Sequence, residues 1–485
     1  YGSTSIPREE VYIKDCPIER MFLPETFAKT GFVRKLIETG FHGYIKFVLK
    51  QGVSDKIKNE LWTSFCQERI KYDFEYWAYS CIQISAKGKG KDIPFLLNRA
   101  QRHYLKELER LRMANVPIDI ILCKARQWGG STLTQLYMLW IQLIHRSNWN
   151  SAICGHIETA ARNVAGMLQK AVDKMPLWAT GGIRIKTNPY QGSQKTRSIN
   201  TTNSRYSIGS AEKPESLRSE DISMAHLTEV GLWKETKGKK PEDLVQSIFG
   251  SILSGAYTIK VLESTAKGVG NYFHRTWLDA VEGRNNFTPV FIPWFMIDIY
   301  SKHINPKEYN TFIATMTEYE HWLFELGATL EAIAWYRDKS LEFNDKWRMC
   351  SEYPSTATEA FQSTGRRIFP QKYVEQVRTS TLPPCFYGEF VANDIKGKEA
   401  LSNIRFEHIE PTKDLNNILW VWALPDCTEN YYDRYVVSVD IGGTSETADF
   451  SCIKVADRLP MLEEGGLPEI VAEWHGHIEH DLLIC

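Results

Sequence analysis

A glycine-containing turn that follows an apolar run holds the residues best suited to chemistry in this sequence. Residues 118–132 read IDIILCKARQWGGST. In the phosphate-binding pattern G-x-x-x-x-G-K-S/T, backbone N–H groups surround phosphates, the lysine neutralises them and the hydroxyl binds Mg²⁺. Gly129 and Ser131 fit this pattern, but Gly130 occupies the lysine position and Lys124 occupies the position of the first glycine. Because the loop curls around the phosphates, a lysine at the first position can still reach them. We therefore expect a variant phosphate-binding loop, with an ordinary strand-to-helix turn as the alternative.

A second polar position follows the apolar run in SMAHLTEVGLW, which ends at Thr228 and Glu229. An ATPase of this kind needs a carboxylate beside the γ-phosphate to activate water, and Glu229 is the candidate. Thr228 replaces the usual aspartate, and its hydroxyl can orient a metal-bound water without adding charge. Mg²⁺ would then depend more on Ser131 and the phosphates. The alternative for Glu229 is a solvated carboxylate at a strand end.

The phrase VLESTAKGVGNYF contains a third polar turn after an apolar strand. Hydroxyl groups at such a strand end can sense a γ-phosphate and transmit its presence to the following helix. An ordinary helix cap is the alternative. The turn comprises Ser264, Thr265, Ala266, Lys267 and Gly268.

Hydrophobic periodicity predicts the elements that must position these turns. Apolar residues at helical spacing indicate mainly helices over residues 1–115, with a turn or hairpin tip in SAKGKGKD. Short apolar strands then alternate with helices, which predicts an α/β fold with a mostly parallel sheet and helices on both faces. The strands are predicted in IDIILC, SAICGH, SMAHLTE, YTIKVLEST and PVFIPWF. The predicted organisation is a helical N-terminal part at 1–115, an ATPase domain with a helical subdomain at 116–378, a linker with short strands at 379–430 and an incomplete second α/β domain at 431–485.

Composition limits the class of protein but not its partners. With 485 residues the chain should contain more than one domain. It has 58 Lys and Arg residues against 59 Asp and Glu residues, so a polyanion would have to be bound by a local patch. The ten cysteines occur without a C-x-x-C pair, which favours a reducing compartment and argues against structural zinc. There is no apolar run of the length, about 18 residues, that would span a membrane. The sequence starts without Met and stops within an apolar phrase, so we expect a fragment.

Five phrases, in order, resemble the large terminase subunit of tailed bacteriophages, the ATP-driven DNA-packaging motor. They are KARQWGGST, HLTEVGLW, ESTAKGVGNYF, EYPSTATEAFQSTG and YVVSVDIGGTSETADFSCI. The resemblance extends roughly from Phe95 to the end of the chain. It implies an ASCE-type P-loop ATPase followed by the start of an RNase H-like nuclease domain.

The resemblance also implies roles for individual residues. Lys124 resembles the displaced phosphate-loop lysine of one branch of the family, and Gln101 resembles the glutamine that reads adenine through its amide. Glu229 resembles the catalytic carboxylate, and the turn at 264–268 resembles the motif that couples hydrolysis to DNA movement. Arg126 and Arg162 are candidates for stabilising the transition state. The implied ATP-binding residues are Gln101, Lys124, Arg126, Gln127, Gly129, Gly130, Ser131 and Thr132, with the Ser131 and Thr132 hydroxyls near Mg²⁺.

The implied nuclease would hold Mg²⁺ or Mn²⁺ between three or more carboxylates. Asp440, at the end of the first strand, resembles the first metal ligand, and Asp449 is a candidate for a supporting acid. Glu473 lies on the second or third predicted strand, but we do not expect it to be the missing ligand. We expect the remaining acids to lie beyond Cys485, so that the nuclease site is incomplete here. A solvated turn is the expected environment of His475, His477 and His480.

The function implied by the resemblance is ATP-driven translocation of double-stranded viral DNA into a procapsid, with endonucleolytic cutting of concatemeric DNA. The implied partners are the portal protein, the terminase small subunit and further copies in a ring on the portal, whereas the isolated protein can be a monomer. The implied location is the host cytoplasm, transiently at the portal vertex. Two alternatives are a helicase-like P-loop ATPase and a packaging scaffold with impaired turnover, which Gly130 and Thr228 suggest.

Overall fold

The computed structural model describes residues 5–85, 91–211, 217, 221–233, 240–343, 346–361, 377, 381–393, 403–409, 417–426, 432–443 and 449–477. The chain forms two compact units, Tyr1–Arg366 and Arg367–Cys485. In the described part of the chain, no helix has both the length and the apolar character needed to cross a membrane.

The N-terminal part of the first unit is helical, as predicted, but it begins with an antiparallel pair of strands. Most of its helices start after a side chain whose oxygen accepts a hydrogen bond from a backbone N–H of the first turn, namely Thr30, Ser54, Asp73 and Asn98. The strands on either side of the predicted turn or hairpin tip in SAKGKGKD pair antiparallel, as a hairpin requires, and residues 86–90 of the tip lie outside the described residues. The elements are β1 (Arg8–Tyr12), β2 (Arg20–Pro24), α1 (Glu25–Ala28), α2 (Gly31–Gly43), α3 (Asp55–Tyr72), α4 (Phe74–Cys81), β3 (Gln83–Ser85), β4 (Asp92–Pro94) and α5 (Arg99–Met113).

An eight-stranded sheet forms the centre of the first unit. Its elements in chain order are β5 (Ile118–Lys124), α6 (Gly130–Trp140), β6 (Ser151–Gly155), α7 (Glu158–Asp173), β7 (Thr187–Tyr190), β8 (Ser193–Ile199), β9 (Arg205–Ser210), β10 (Met224–Thr228), α8 (Pro241–Phe249), β11 (Ile259–Ser264), α9 (Tyr272–Val281) and β12 (Thr288–Ile292). The strand order is β12-β5-β11-β10-β6-β9-β8-β7. The strands from β12 to β9 are parallel, and β8 and β7 are added antiparallel. The predicted mostly parallel α/β sheet is confirmed.

Side chains of β5 show how the sheet is buried on both faces. Ile120 and Leu122 belong to one apolar cluster with residues of α5 and α6. Ile121 and Cys123 point the other way and belong to a second cluster with residues of α8 and α9. Alternation along a strand therefore places helices on both faces, as the continuous apolar runs predict.

Three strands of the eight-stranded sheet were not predicted from the sequence. β7, β8 and β9 lie in a polar stretch that includes QKTRSINTTNSRYSIGS, which has no continuous apolar run. They extend the sheet beyond β6, where pairing with a neighbouring strand stabilises them. The unit continues with short helices, as predicted for its helical subdomain. These are α10 (Tyr309–Ala314), α11 (Glu318–Glu325), α12 (Leu330–Ser340), α13 (Lys346–Glu352) and α14 (Ala357–Phe361).

The second unit is built on a six-stranded antiparallel sheet with the order β14-β13-β15-β18-β17-β16. Its elements are β13 (Phe386–Val391), β14 (Arg405–His408), β15 (Ile418–Val421), β16 (Tyr435–Asp440), β17 (Ser451–Asp457), α15 (Leu459–Glu464) and β18 (Glu469–Gly476). Residues 379–430, predicted as a linker with short strands, contribute β13, β14 and β15 to this sheet. The short strands were visible locally, but only the pairing of β15 with β18 shows that they belong to the sheet.

Candidate functional site

The predicted phosphate-binding loop connects β5 to α6 at the carboxyl edge of the parallel sheet. Lys124 is the last residue of β5, and α6 begins at Gly130. Gln127 has a φ of 59° and Gly129 a φ of 80°, so the chain turns through two left-handed residues before the helix starts. Ser131 and Thr132 follow in the first turn of α6. The first N–H groups of a helix favour an anion, so this turn has the backbone required for binding phosphate.

Position 130, where the general pattern has its lysine, is closed to any side chain. A Cβ atom on Gly130 would overlap the indole ring of Trp128. That ring is buried and meets the Tyr104 ring edge-on at a centroid distance of 5.8 Å. The packing of Trp128 therefore explains why the cation cannot stand at position 130.

Gln101 holds the loop from the neighbouring helix α5. Its Nε2 donates to the Gly129 carbonyl at 3.0 Å, and its Oε1 accepts from the Asn98 backbone N–H at 3.0 Å. Asn98 Nδ2 donates to the Trp128 carbonyl at 3.0 Å. These bonds assign Gln101 a role in fixing the loop, and its predicted role in reading adenine stays a prediction.

Lys124 lies between two carboxylates. Its Nζ is 2.7 Å from Glu229 Oε1 and 3.7 Å from Glu263 Oε1. The lysine side chain is only 8% exposed. Burial disfavours the ammonium, but the charges of Glu263 and Glu229 outweigh burial and raise the pKa of Lys124. The displaced lysine therefore remains charged at the carboxyl edge of the sheet.

Glu229 follows directly after β10 and is the more accessible of the two carboxylates. It adopts a left-handed conformation with a φ of 56°, and its side chain is 25% exposed. Its Oε2 accepts a hydrogen bond of 3.4 Å from Thr265 Oγ1 in the predicted coupling turn. A carboxylate that is anchored and still reaches solvent has the position required of a group that activates water.

Glu263 was not identified from the sequence. It lies in β11, is 1% exposed, and its Oε2 accepts from Ser131 Oγ at 2.8 Å. His226 Nε2 is 2.6 Å from the same oxygen, and His226 Nδ1 is 3.0 Å from the Gln135 amide nitrogen. Because that amide nitrogen only donates, Nδ1 accepts and Nε2 donates its hydrogen to Glu263. Burial acts to raise the pKa of Glu263, but Lys124 and the bonds from His226 and Ser131 outweigh it and lower the pKa to about 2. A charged residue inside an apolar strand was the available signal.

The predicted coupling turn joins the end of β11 to the segment after Glu229. Ser264 Oγ accepts from the Gly231 backbone N–H at 2.9 Å and donates to the Thr265 carbonyl at 2.7 Å. Ala266 is buried, whereas Gly268 has a φ of 81°. The structure therefore brings Ser264 and Thr265 next to Glu229.

Glu352 at the end of α13 connects this turn to the phosphate-binding loop. It forms an ion pair with Arg126, and its Oε1 is 3.6 Å from Lys267 Nζ. The Arg126 side chain is 50% exposed, and its carbonyl accepts from Tyr300 OH at 2.8 Å. Arg126 is therefore placed at the loop with its guanidinium turned to Glu352. The Arg162 side chain lies outside the described part of the structure.

The predicted nuclease acids of the second unit lie in or next to strands of its antiparallel sheet. Asp440 ends β16 and pairs in register with Cys452. Asp449 precedes β17 and is exposed, and its carbonyl accepts from the Gly443 backbone N–H. Glu473 lies in β18 and pairs with Lys454 at 3.2 Å. Within the described ranges, no group of three or more His, Cys, Asp or Glu side chains is arranged to hold a metal ion.

Of the three histidines expected in a solvated turn, His475 differs from that expectation. His475 lies within β18, and its ring packs against Trp420 and Phe450. The ring centroids of His477 and Phe450 are 4.5 Å apart. The strand continues further than predicted because the register of β18 with β15 reaches His475. His480 lies outside the described residues.

The first-unit site offers hard oxygen donors that fit Mg²⁺ together with a nucleotide. Mg²⁺ is usually held by one or two carboxylates, several waters and substrate phosphates, and not by a complete protein cage. The Ser131 hydroxyl and the Glu263 carboxylate, 2.8 Å apart, supply donors of this kind beside the N-terminus of α6. Bound there, Mg²⁺ would supply positive charge beside the phosphates.

A search of solved structures matches the chain to large terminases of bacteriophages. The HK97 bacteriophage large terminase is 14% identical, with a TM-score of 0.40, over 84% of this chain and 67% of that one. The ATPase domain of the Thermus phage P74-26 large terminase is 16% identical, with a TM-score of 0.33, over 51% of this chain and 91% of that one. A large terminase of a thermophilic bacteriophage, solved with ADP, is 12% identical, with a TM-score of 0.34, over 79% of this chain and 68% of that one.

The chain thus matches solved structures of the kind of protein that its motifs resemble, but at TM-scores of 0.33 to 0.40. No family model matches it, and a search of curated proteins finds no match. At these identities and TM-scores, the activity of the chain has to be inferred from its own residues.

Proposed function

We propose that this chain is the ATP-hydrolysing motor of viral DNA packaging, a large terminase subunit. It would convert ATP and water into ADP and phosphate and use the energy to move double-stranded DNA into a procapsid. The observation that carries the proposal is the 2.7 Å contact between Lys124, from the phosphate-binding loop, and Glu229, from the end of β10. Two motifs that are 105 residues apart in the chain thus meet at one edge of the sheet.

The site around the Lys124–Glu229 contact has the groups that phosphoryl transfer requires. Catalysis of this reaction consists mainly of positioning and charge stabilisation around the transferred phosphoryl group. The helix α6 would receive the phosphates at its N-terminus, and Lys124 would neutralise them across the loop. Phosphate oxygens would compete with Glu229 for the Lys124 ammonium, which would free the carboxylate to accept a proton from the attacking water.

The coupling turn offers a route by which hydrolysis could be transmitted. Thr265 bonds to Glu229, and Ser264 bonds to the backbone at Gly231. A change in the position of Glu229 would therefore reach β11 and the helix α9 that follows it. Arg126 would contribute charge near the phosphates after leaving Glu352, and an arginine from a neighbouring copy is a second possible source.

The second unit would be the nuclease that cuts concatemeric DNA with Mg²⁺ or Mn²⁺. Asp440 is its proposed first ligand and Asp449 its supporting acid, and further acids are needed to complete a two-metal site. We propose the portal protein, the terminase small subunit and a ring of copies on the portal as partners. The motor would act in the host cytoplasm at the portal vertex of the procapsid.

Measuring ATP binding and ATP turnover separately tests the proposed ATPase. Glu229→Gln should keep nucleotide affinity but lower turnover by about 10²- to 10⁴-fold, the usual contribution of a general base. Glu325→Gln is a matched control, because that glutamate is exposed near the end of α11. Equal turnover by the wild type and Glu229→Gln would refute the role of Glu229. A wild-type protein that binds ATP but turns none over would favour the scaffold alternative.

A further inference from the structure

The proposed ATPase site has a carboxylate in an unexpected strand. In P-loop ATPases, Mg²⁺ is held by the loop Ser or Thr and by an Asp at the end of the strand that precedes the catalytic base. In this chain that strand is β10, and Thr228 occupies the aspartate position. The hydroxyl of the loop nevertheless has a carboxylate partner, because Ser131 Oγ donates to Glu263 Oε2 at 2.8 Å.

The register of the sheet explains how Glu263 reaches this place. In the parallel pairing of β10 with β11, Thr228 is directly opposite Glu263. Residues opposite each other in paired strands project from the same face of a sheet. The Glu263 side chain therefore projects from the face that an aspartate at position 228 would use, one strand closer to β5.

Contacts from the same face orient the Glu263 carboxylate. Lys124 is two residues beyond Leu122, which is opposite Glu263 in the pairing of β5 with β11. Its Nζ is 3.7 Å from Glu263 Oε1. His226 is two residues before Thr228, and it bonds to Oε2. The shared Oε2 thus accepts from Ser131 and His226, while Oε1 faces the ammonium.

A purely structural role accounts less well for this arrangement. A buried carboxylate is costly to desolvate, and apolar side chains of similar volume stabilise a core at least as well. Glu263 is 1% exposed, yet it bonds to the one hydroxyl that the loop pattern assigns to Mg²⁺. An ion pair needed only for folding would not have to include that hydroxyl.

We infer that Glu263 replaces the aspartate that is missing at position 228. Together with Ser131, it is the carboxylate that positions Mg²⁺ beside the nucleotide phosphates. This inference rests on the proposed ATPase function. His226 acts as a positioning residue, because it contacts Glu263 and holds one carboxylate oxygen toward Ser131. Glu229 then remains free to act on water, so the two carboxylates have separate roles.

The test measures how Mg²⁺ changes nucleotide affinity in the full chain, with a fluorescent ADP analogue titrated in Mg²⁺ and in EDTA. Wild type and the exposed control Glu325→Gln should both bind more tightly in Mg²⁺. Glu263→Gln should need about 10- to 100-fold more Mg²⁺ to reach the same enhancement, while its affinity in EDTA is retained or increased. Adding Thr228→Asp to Glu263→Gln should restore much of the enhancement, because the carboxylate returns to the same face of the sheet.

The outcomes separate this inference from the proposed function. A wild-type enhancement that persists in full in Glu263→Gln would overturn the inference and leave the ATPase in place. A wild-type protein that binds no nucleotide would overturn both. If Glu263→Gln does not fold, Glu263→Asp keeps the charge one methylene farther away. It should then show a reduced Mg²⁺ enhancement, and an enhancement equal to that of wild type would refute the inference. Mn²⁺ bound with ADP, counted by electron paramagnetic resonance, should fall in parallel.

Discussion

Replacing Lys124 with methionine tests whether the buried Glu263 carboxylate depends on this ammonium. Methionine keeps the length of the side chain and removes its charge. Glu263 would remain 1% exposed with no cation at 3.7 Å, whereas Glu229, 25% exposed, would still reach water. We therefore expect most of the penalty to come from Glu263.

The size of this penalty follows from the burial of the Lys124–Glu263 pair. Removing one partner of a buried ion pair typically lowers the free energy of unfolding by about 3–5 kcal/mol, because an uncompensated charge is left behind. A charge pair at 3.7 Å in an effective dielectric of about 20 interacts by roughly 4–5 kcal/mol, which is of the same order. Since whole domains are stable by about 5–15 kcal/mol, the variant should fold but be clearly weakened.

The penalty should depend on pH. In the wild type the pKa of Glu263 is about 2, below the unfolded value of about 4.3, so its stabilisation is present above pH 4.3 and is lost as the pH falls toward 2. Without Lys124, burial should raise the pKa of Glu263 above the unfolded value. The folded variant then gains stability by taking up a proton as the pH falls. The difference from wild type should therefore be larger at about pH 8 than at about pH 5.

Urea unfolding followed by tryptophan fluorescence, at both pH values, measures this difference. The comparison needs wild type, Lys124→Met, Glu263→Gln and the double variant. The double variant should be more stable than Lys124→Met alone, because no buried charge is left unpaired. A double variant no more stable than Lys124→Met, or a loss of stability in Lys124→Met that is the same at the two pH values, would refute the reasoning. Lys124→Met should also bind ATP more weakly, and unchanged affinity would mean that Lys124 does not serve the phosphates.

Two further substitutions test how the loop is built. Gly130→Ala should lower the free energy of unfolding by about 1–3 kcal/mol, because the new methyl group would overlap Trp128. The control Gly31→Ala, with open space around its Cβ, should have little effect. A Gly130→Ala protein as stable as the wild type would show that position 130 is open. Glu352→Gln should change the thermal midpoint little, because partly exposed ion pairs contribute about 0–1 kcal/mol, yet should raise ATP turnover, because Arg126 would no longer have to leave Glu352 to reach the phosphates. Turnover equal to that of the control Glu325→Gln would argue against this link.

Local sequence was sufficient to predict the strands that carry the site. β5, β10 and β11 are short apolar runs that end in polar turns, and that pattern depends only on neighbouring residues. Parallel strands present their carboxyl ends at one edge, so Lys124, Glu229 and Ser264 could be expected to meet. The polar strands β7 to β9 could not be predicted, because pairing with neighbouring strands, beginning with β9 on β6, and not their own composition, makes them part of the sheet.

Only the tertiary structure explains two positions at which the sequence lacks a charged residue of the usual ATPase patterns. Gly130 stands where a lysine was expected, and the packing of Trp128 shows that no side chain fits there. Thr228 stands where an aspartate was expected, and Glu263 lies directly opposite it in the next strand. Neither relation can be read along the chain. One depends on how an indole ring folds back over the start of a helix, and the other on the register between two strands whose aligned residues are 35 positions apart, from 228 to 263.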